Sequence, residues 1–116
     1  MKNFKELGEK VRHFAEERDW AQFHSPKNLS MALSVECAEL MEHFQWLTEN
    51  QSRRLRGRQM REVEKELADI QIYLVRLSQV LGLDLLAASK SKLLENAKKY
   101  PVSKARGSAK KYTELK

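Results

Sequence analysis

Leu29, Leu33, Leu40, Phe44 and Leu47 recur at helical spacing, and a glutamate, Glu36, stands almost in line with them. At about 100° per residue the five apolar positions fall within about 60° of one another, and Glu36 lies only about 20° outside that arc. Glu39, three residues on, lies roughly 60° further to the same side. A second stretch repeats the arrangement. Val63, Leu67, Ile70, Leu74, Leu77 and Leu81 form its stripe, Glu66 lies at the margin, Asp69 is one step further round, and Tyr73 continues the acidic edge. Carboxylates this close to a core are costly unless they are paired, hydrogen-bonded or bound to a metal.

The same periodicity predicts four helices and an all-α fold. The first runs from about Phe4 to Trp20, with Phe4, Leu7, Val11 and Phe14 on one side. A break at residues 22–26 follows, where Ser25 and Pro26 suit the cap and first position of a second helix reaching about Leu47. The polar, arginine-rich connection from Thr48 to Arg58 leads to a third helix over Gln59–Leu81, with Gly82 as its C-terminal glycine. The fourth starts at Asp84, an N-cap, and ends before Tyr100-Pro101. We expect one helical domain over residues 1–100 and a basic tail over 101–116.

The net charge of +6 belongs to that last segment. Residues 1–97 hold 15 Lys/Arg and 15 Asp/Glu, whereas the final nineteen hold seven basic residues against Glu114 alone. Such a tail is a solvated surface, a cover for polyphosphate or a nucleic-acid contact. No apolar run reaches the ~18–20 residues of a membrane span, and the charged start MKNFKELGEK has no apolar core of a secretory signal. A single cysteine, Cys37, excludes an internal disulfide framework and a structural zinc site. These features make a cytoplasmic location the expectation, with no membrane partner. Cys37 projects about 100° from Glu36 and reads as a small core or interface residue without an accompanying base.

A short connection makes the second and third helices antiparallel neighbours, so Glu36 and Glu39 can face Glu66 and Asp69. At ~5 Å and an effective dielectric of ~20, each pair of carboxylates repels by about 3 kcal/mol. A hard divalent cation removes that repulsion, and an all-oxygen set suits Mg²⁺ or Mn²⁺. A di-iron bundle would need E-x-x-H on two helices. His43 has Leu40 three residues before it, and the third helix has no histidine, which excludes it.

With both acidic pairs located, the sequence resembles the all-α MazG-like nucleotide pyrophosphohydrolases, in particular their dCTP pyrophosphatase branch. The family pattern of E-x-x-E followed by E-x-x-D appears as Glu36-Cys-Ala-Glu39 and Glu66-Leu-Ala-Asp69. Longer segments carry the likeness further: Phe14–Leu29, Glu36–Trp46, Glu64–Leu77 and Lys111–Lys116. The resemblance implies a four-helix bundle that hydrolyses a nucleoside triphosphate between its α and β phosphates, releasing monophosphate and pyrophosphate. Mg²⁺ would be held by Glu36, Glu39, Glu66 and Asp69, with Glu36 or Glu39 taking the proton of the attacking water. Lys92, Asn96 and Lys99 would donate to phosphate oxygens, with Lys98 and Lys99 standing where branch members are richer in arginine. Trp20 and His24 would line the base pocket, Asn28 or His24 would read its edge, and Tyr73 would donate to a phosphate or ligand carboxylate. Trp46, at the far end of the second helix, would join them only across a subunit boundary.

Ile72 and Val75 oppose the third helix's main stripe, so a second helical surface is expected to cover one side, making the protein a homo-oligomer. The resemblance implies a homotetramer arranged as a dimer of dimers. A helical dimerisation module with a nucleic-acid-binding tail is the competing reading; it leaves the inward Glu36 without a role, and nucleic acid is not an expected partner. Base preference stays open between dCTP, a modified dCTP, dUTP and other noncanonical nucleotides.

Overall fold

Short polar side chains start most of the helices by taking over free backbone N–H groups. The computed structural model describes residues 1–116. Asn3 accepts from Glu6 N at the head of α1 (Phe4–Glu17), and Ser25 accepts from Asn28 N ahead of Pro26, the first residue of α2 (Pro26–Glu42). Thr48 and Gln51 cap each other reciprocally around the one-turn α3 (Glu49–Ser52). The longest helix, α4 (Gly57–Val80), is followed by Gly82 at φ 68°, the left-handed geometry that glycine adopts without steric cost. Asp84 then accepts from Ala87 N to open α5 (Leu85–Lys99), and α6 (Val102–Ala105) is a single turn. Two 3₁₀ turns, at Ala21–Phe23 and Tyr112–Glu114, complete an architecture without strands.

The four expected helices are therefore α1, α2, α4 and α5, with two short ones added. The second ends earlier than its periodicity predicts. From His43 onwards several backbone bonds close over three residues, as in His43 N to Leu40 O and Leu47 N to Phe44 O, so the chain tightens before α3. Trp46 is left 87% exposed there. The first helix also stops short, at Glu17. Asp19, at φ 53°, reverses the chain so that Trp20 N bonds back to Ala15 O.

Two compact units result, Met1–Gly82 and Leu83–Lys116. In the first, α2 and α4 share the most extensive helix–helix interface, and α1 also packs on α4. Leu29 is buried on α2, with Leu33, Leu40, Phe44 and Leu47 half-buried, as the stripe predicts. The α4 stripe needs correcting. Val63, Ile70 and Leu77 are covered, but Leu67 (53%) and Leu74 stay exposed, while Val75 (2%), expected on the opposite side, is buried. The cause is that α4 is packed by both α1 and α2, so its covered sector is wide and displaced towards Glu66 and Tyr73.

In the second unit, Lys92 and Lys99 both pair with Glu95, at 3.4 and 3.2 Å. The two lysines hold the Glu95 carboxyl below its ordinary range by hydrogen bonds and charge. Tyr100 and Tyr112 meet edge to face with centroids 6.0 Å apart, and Lys99 Nζ lies 4.9 Å from the Tyr112 ring. The segment after Pro101 is thereby tied to α5.

Leu29 is the largest fully buried side chain. Leu29→Ala should lower stability by about 2–5 kcal/mol in urea unfolding, whereas Trp46→Ala should stay within about 0.5 kcal/mol at low protein concentration.

Candidate active site

Glu36 and Glu39 lie one turn apart on α2, and α4 brings Glu66 against them. One carboxylate oxygen from each of the three can be chosen so that all lie within 4.8 Å of one another. Glu36 Oε2 and Glu66 Oε2 are buried and have no hydrogen-bond partner. Helix packing has thus placed acceptor atoms around a common point, an arrangement that a hard cation would satisfy. His43 Nε2 stands 3.9 Å from Glu66 Oε1 on the rim. Burial, hydrogen bonding with Glu66 and Glu39, and the charges of Glu39 and Asp69 push the Glu36 carboxyl up from 4.5 to about 7.

Beside the carboxylates opens a cavity of about 260 Å³. Glu36 and Asp69 form part of its wall, together with Trp20, His24, Tyr73 and Arg76, and α1 contributes Val11, Phe14 and Ala15. Trp20 meets Phe14 edge to face at 5.7 Å and His24 at 6.2 Å. The break between α1 and α2 therefore presents an aromatic wall across from the acidic residues of α2 and α4.

The residues expected from the sequence fall into three groups. Glu36, Glu39 and Glu66 converge; Asp69 is not in the closest triad but shares the cavity with Glu36. Trp20, His24 and Tyr73 line that cavity. Asn28 does not: its Nδ2 donates to Phe23 O at 3.0 Å and holds the break in shape. Trp46 is also outside the lining, and Lys92, Asn96 and Lys99 belong to the second unit. Cys37 is exposed, so it is not a core residue of this chain.

Arg76, buried and in the cavity wall, was not anticipated. A pattern was available, since Glu66, Asp69, Tyr73 and Arg76 follow one another by three or four residues along one side of α4.

The MazG-like family model matches residues 31–115, and the chain belongs to the MazG-like family. Among named relatives it is similar to dCTP pyrophosphatase 1 of Homo sapiens, 45% identical over 104 residues, which are 88% of this chain and 61% of that protein. The corresponding protein of Mus musculus is 46% identical over the same extents. The chain thus spans about three fifths of the length of these relatives. A crystal structure of a pyrophosphatase from Archaeoglobus fulgidus superposes with a TM-score of 0.79 at 40% identity, covering 84% of this chain and 91% of that one.

The raised Glu36 carboxyl has a measurable consequence. Below 4.5 it is protonated whether or not the chain is folded; between 4.5 and about 7 only the unfolded chain readily releases the proton. Metal-free protein should therefore lose stability as pH rises through this window, and the loss should level off above it. Thermal melts of wild type minus Glu36→Gln isolate the effect, which Mg²⁺ should shrink because binding requires the carboxylate form. A pH-independent difference would contradict the assignment.

Proposed function

We propose that this chain is a Mg²⁺-dependent pyrophosphohydrolase that cleaves a nucleoside triphosphate between the α and β phosphates, with dCTP or a 5-substituted dCTP preferred. The observation that carries this reading is the convergence of Glu36, Glu39 and Glu66, two of them with unpartnered buried oxygens, beside a cavity walled by Trp20 and His24. The names of the relatives and of the structural neighbour support it.

Glu36, Glu39 and Glu66 would hold the metal, Mg²⁺ or Mn²⁺, with Asp69 completing the set next to the cavity. When bound, the metal neutralises triphosphate charge and lowers the pKa of a coordinated water. Trp20 and His24 take the base; sites for drug-sized ligands run to about 300–1,000 Å³, so about 260 Å³ has room for a base while the triphosphate extends towards the carboxylates. Glu36 or Glu39 accepts the proton of the water that attacks the α-phosphorus, and pyrophosphate leaves. Tyr73, in the same wall, can donate its O–H to a phosphate oxygen. Lys92, Asn96 and Lys99 are proposed phosphate donors. The lone exposed Cys37 suits a reducing, cytoplasmic setting.

We extend the proposal to a homotetramer built as a dimer of dimers. Only Val11, Ala15, Leu29, Val63 and Val75 form the fully buried apolar core. Met60, Leu67 and Leu74 lie exposed at seven-residue intervals along one side of α4, continued by Leu81 at its C-cap, and Met31, Val35 and Met41 are exposed on α2. Two uncovered apolar faces offer two kinds of contact, which a dimer of dimers requires.

Pyrophosphate release from a panel of canonical and modified dNTPs, with Mg²⁺ and with EDTA, is the decisive assay. Metal-dependent release, fastest with dCTP or a 5-substituted dCTP, is expected, while no release from any nucleotide by folded protein would refute the activity. Glu36→Gln and Asp69→Asn should each keep the helical circular dichroism and lose at least about 100-fold in turnover. Leu67→Glu with Leu74→Glu should lower the sedimentation mass of a still-helical protein; an unchanged mass would remove the α4 lane from the assembly.

A further inference from the structure

Arg76 is the one buried charged side chain, 8% exposed. Removing a guanidinium from water is costly unless its N–H groups are met. No carboxylate lies within ion-pair distance of it. Two neutral acceptors meet it instead: Nε donates to His24 Nδ1 at 2.9 Å, and Nη1 donates to Gln79 Oε1 at 3.2 Å. Gln79 Nε2 in turn donates to the Gly8 carbonyl at 2.7 Å, linking α4 to α1.

An acceptor at Nδ1 has a chemical consequence for His24. The ring must be neutral, and its hydrogen must sit on Nε2. Burial first, and then the charge of Arg76, lowers the histidine's pKa, which keeps it neutral near pH 7. Trp20, Arg76 and Tyr73 line the same cavity as His24; an indole N–H, a guanidinium and the His24 Nε2–H can only donate, whereas a tyrosine hydroxyl can also accept.

We propose that Arg76 is a positioning residue that holds His24 as its Nε2–H tautomer, so that the cavity selects cytosine over uracil and thymine. The His24 Nε2–H can donate to N3 of cytosine, an acceptor, whereas uracil and thymine place an N–H at N3, which would face that donor and leave both unpaired. The proposal rests on the nucleotide reading above and gives its base preference a cause. Arg76 would not touch the reacting atoms.

The test uses two readouts on the full chain that do not depend on turnover. Nitrogen-15 spectra of the imidazoles, with His24→Gln assigning the signal, should show His24 only as the Nε2–H tautomer in wild type and as a mixture in Arg76→Met. Calorimetric titration with dCMP and dUMP should show cytosine preferred by wild type and that preference reduced roughly tenfold in Arg76→Met, the size of one lost hydrogen bond. If Arg76→Met does not fold, Arg76→Leu, which likewise removes every donor to His24 Nδ1, serves in its place with the same expectation.

Gln79→Ala separates positioning from stapling, because it cuts the link to α1 and leaves the bond to His24. It should lower stability and leave the dCMP preference intact. An Nδ1–H tautomer in wild type, equal affinity for dCMP and dUMP, or a Gln79→Ala variant that loses the preference as fully as Arg76→Met would each overturn the proposal. Absence of pyrophosphate release with these binding results intact would instead remove the catalytic reading alone.

Discussion

Carboxylate repulsion across the α2–α4 interface is the constraint around which the first unit is arranged. Like charges about 5 Å apart at an effective dielectric near 20 oppose each other by about 3 kcal/mol per pair; burial first, and then its carboxylate neighbours, make Glu36 hold its proton to about pH 7. Apolar packing must hold the helices together against that force. Leu29 and Val63, both buried, lie one on each of the two helices that carry the acids. Two buried carboxylate oxygens, Glu36 Oε2 and Glu66 Oε2, have no hydrogen-bond partner within the chain.

A division of labour follows from where each helix starts and stops. The carboxylates sit within α2 and α4, where backbone hydrogen bonds fix their spacing. The aromatic wall sits at the break between α1 and α2, where Asp19, the 3₁₀ turn and the Asn28–Phe23 hydrogen bond fold the chain back. A helical part thus carries the acidic cluster and a turn carries the aromatic wall, so the wall can vary in shape without disturbing the acidic spacing.

Much of this was legible in the sequence because local chemistry decided it. Ser25-Pro26, Asp84 and Gly82 act only on their own helix ends, and each does what its side chain or lack of one permits. The inward placement of Glu36 followed from one face of one helix. What could not be read was set by more than one neighbour. Leu67 and Leu74 belong to a regular stripe, yet α4 is covered by α1 and α2 on other sectors and leaves them bare. Arg76 escaped notice because an arginine on a helix is ordinarily solvated; its burial depends on His24 and Gln79, one of them 52 residues away in the chain. The hydrogen bond of the Asn28 amide to Phe23 O was not legible for a related reason, since it depends on how the turn folds back.

The exposed lane of Met60, Leu67, Leu74 and Leu81 repeats every seventh residue on a helix that turns once in about 3.6 residues. Such a lane drifts by roughly 20° per heptad around the axis. A straight helix laid against α4 would follow it for only part of its length. Any helix that stays in register with all four side chains has to wind around α4 with a left-handed supercoil, at a shallow crossing angle near 20°. The handedness of a long contact on this face is therefore already written in the spacing of four side chains.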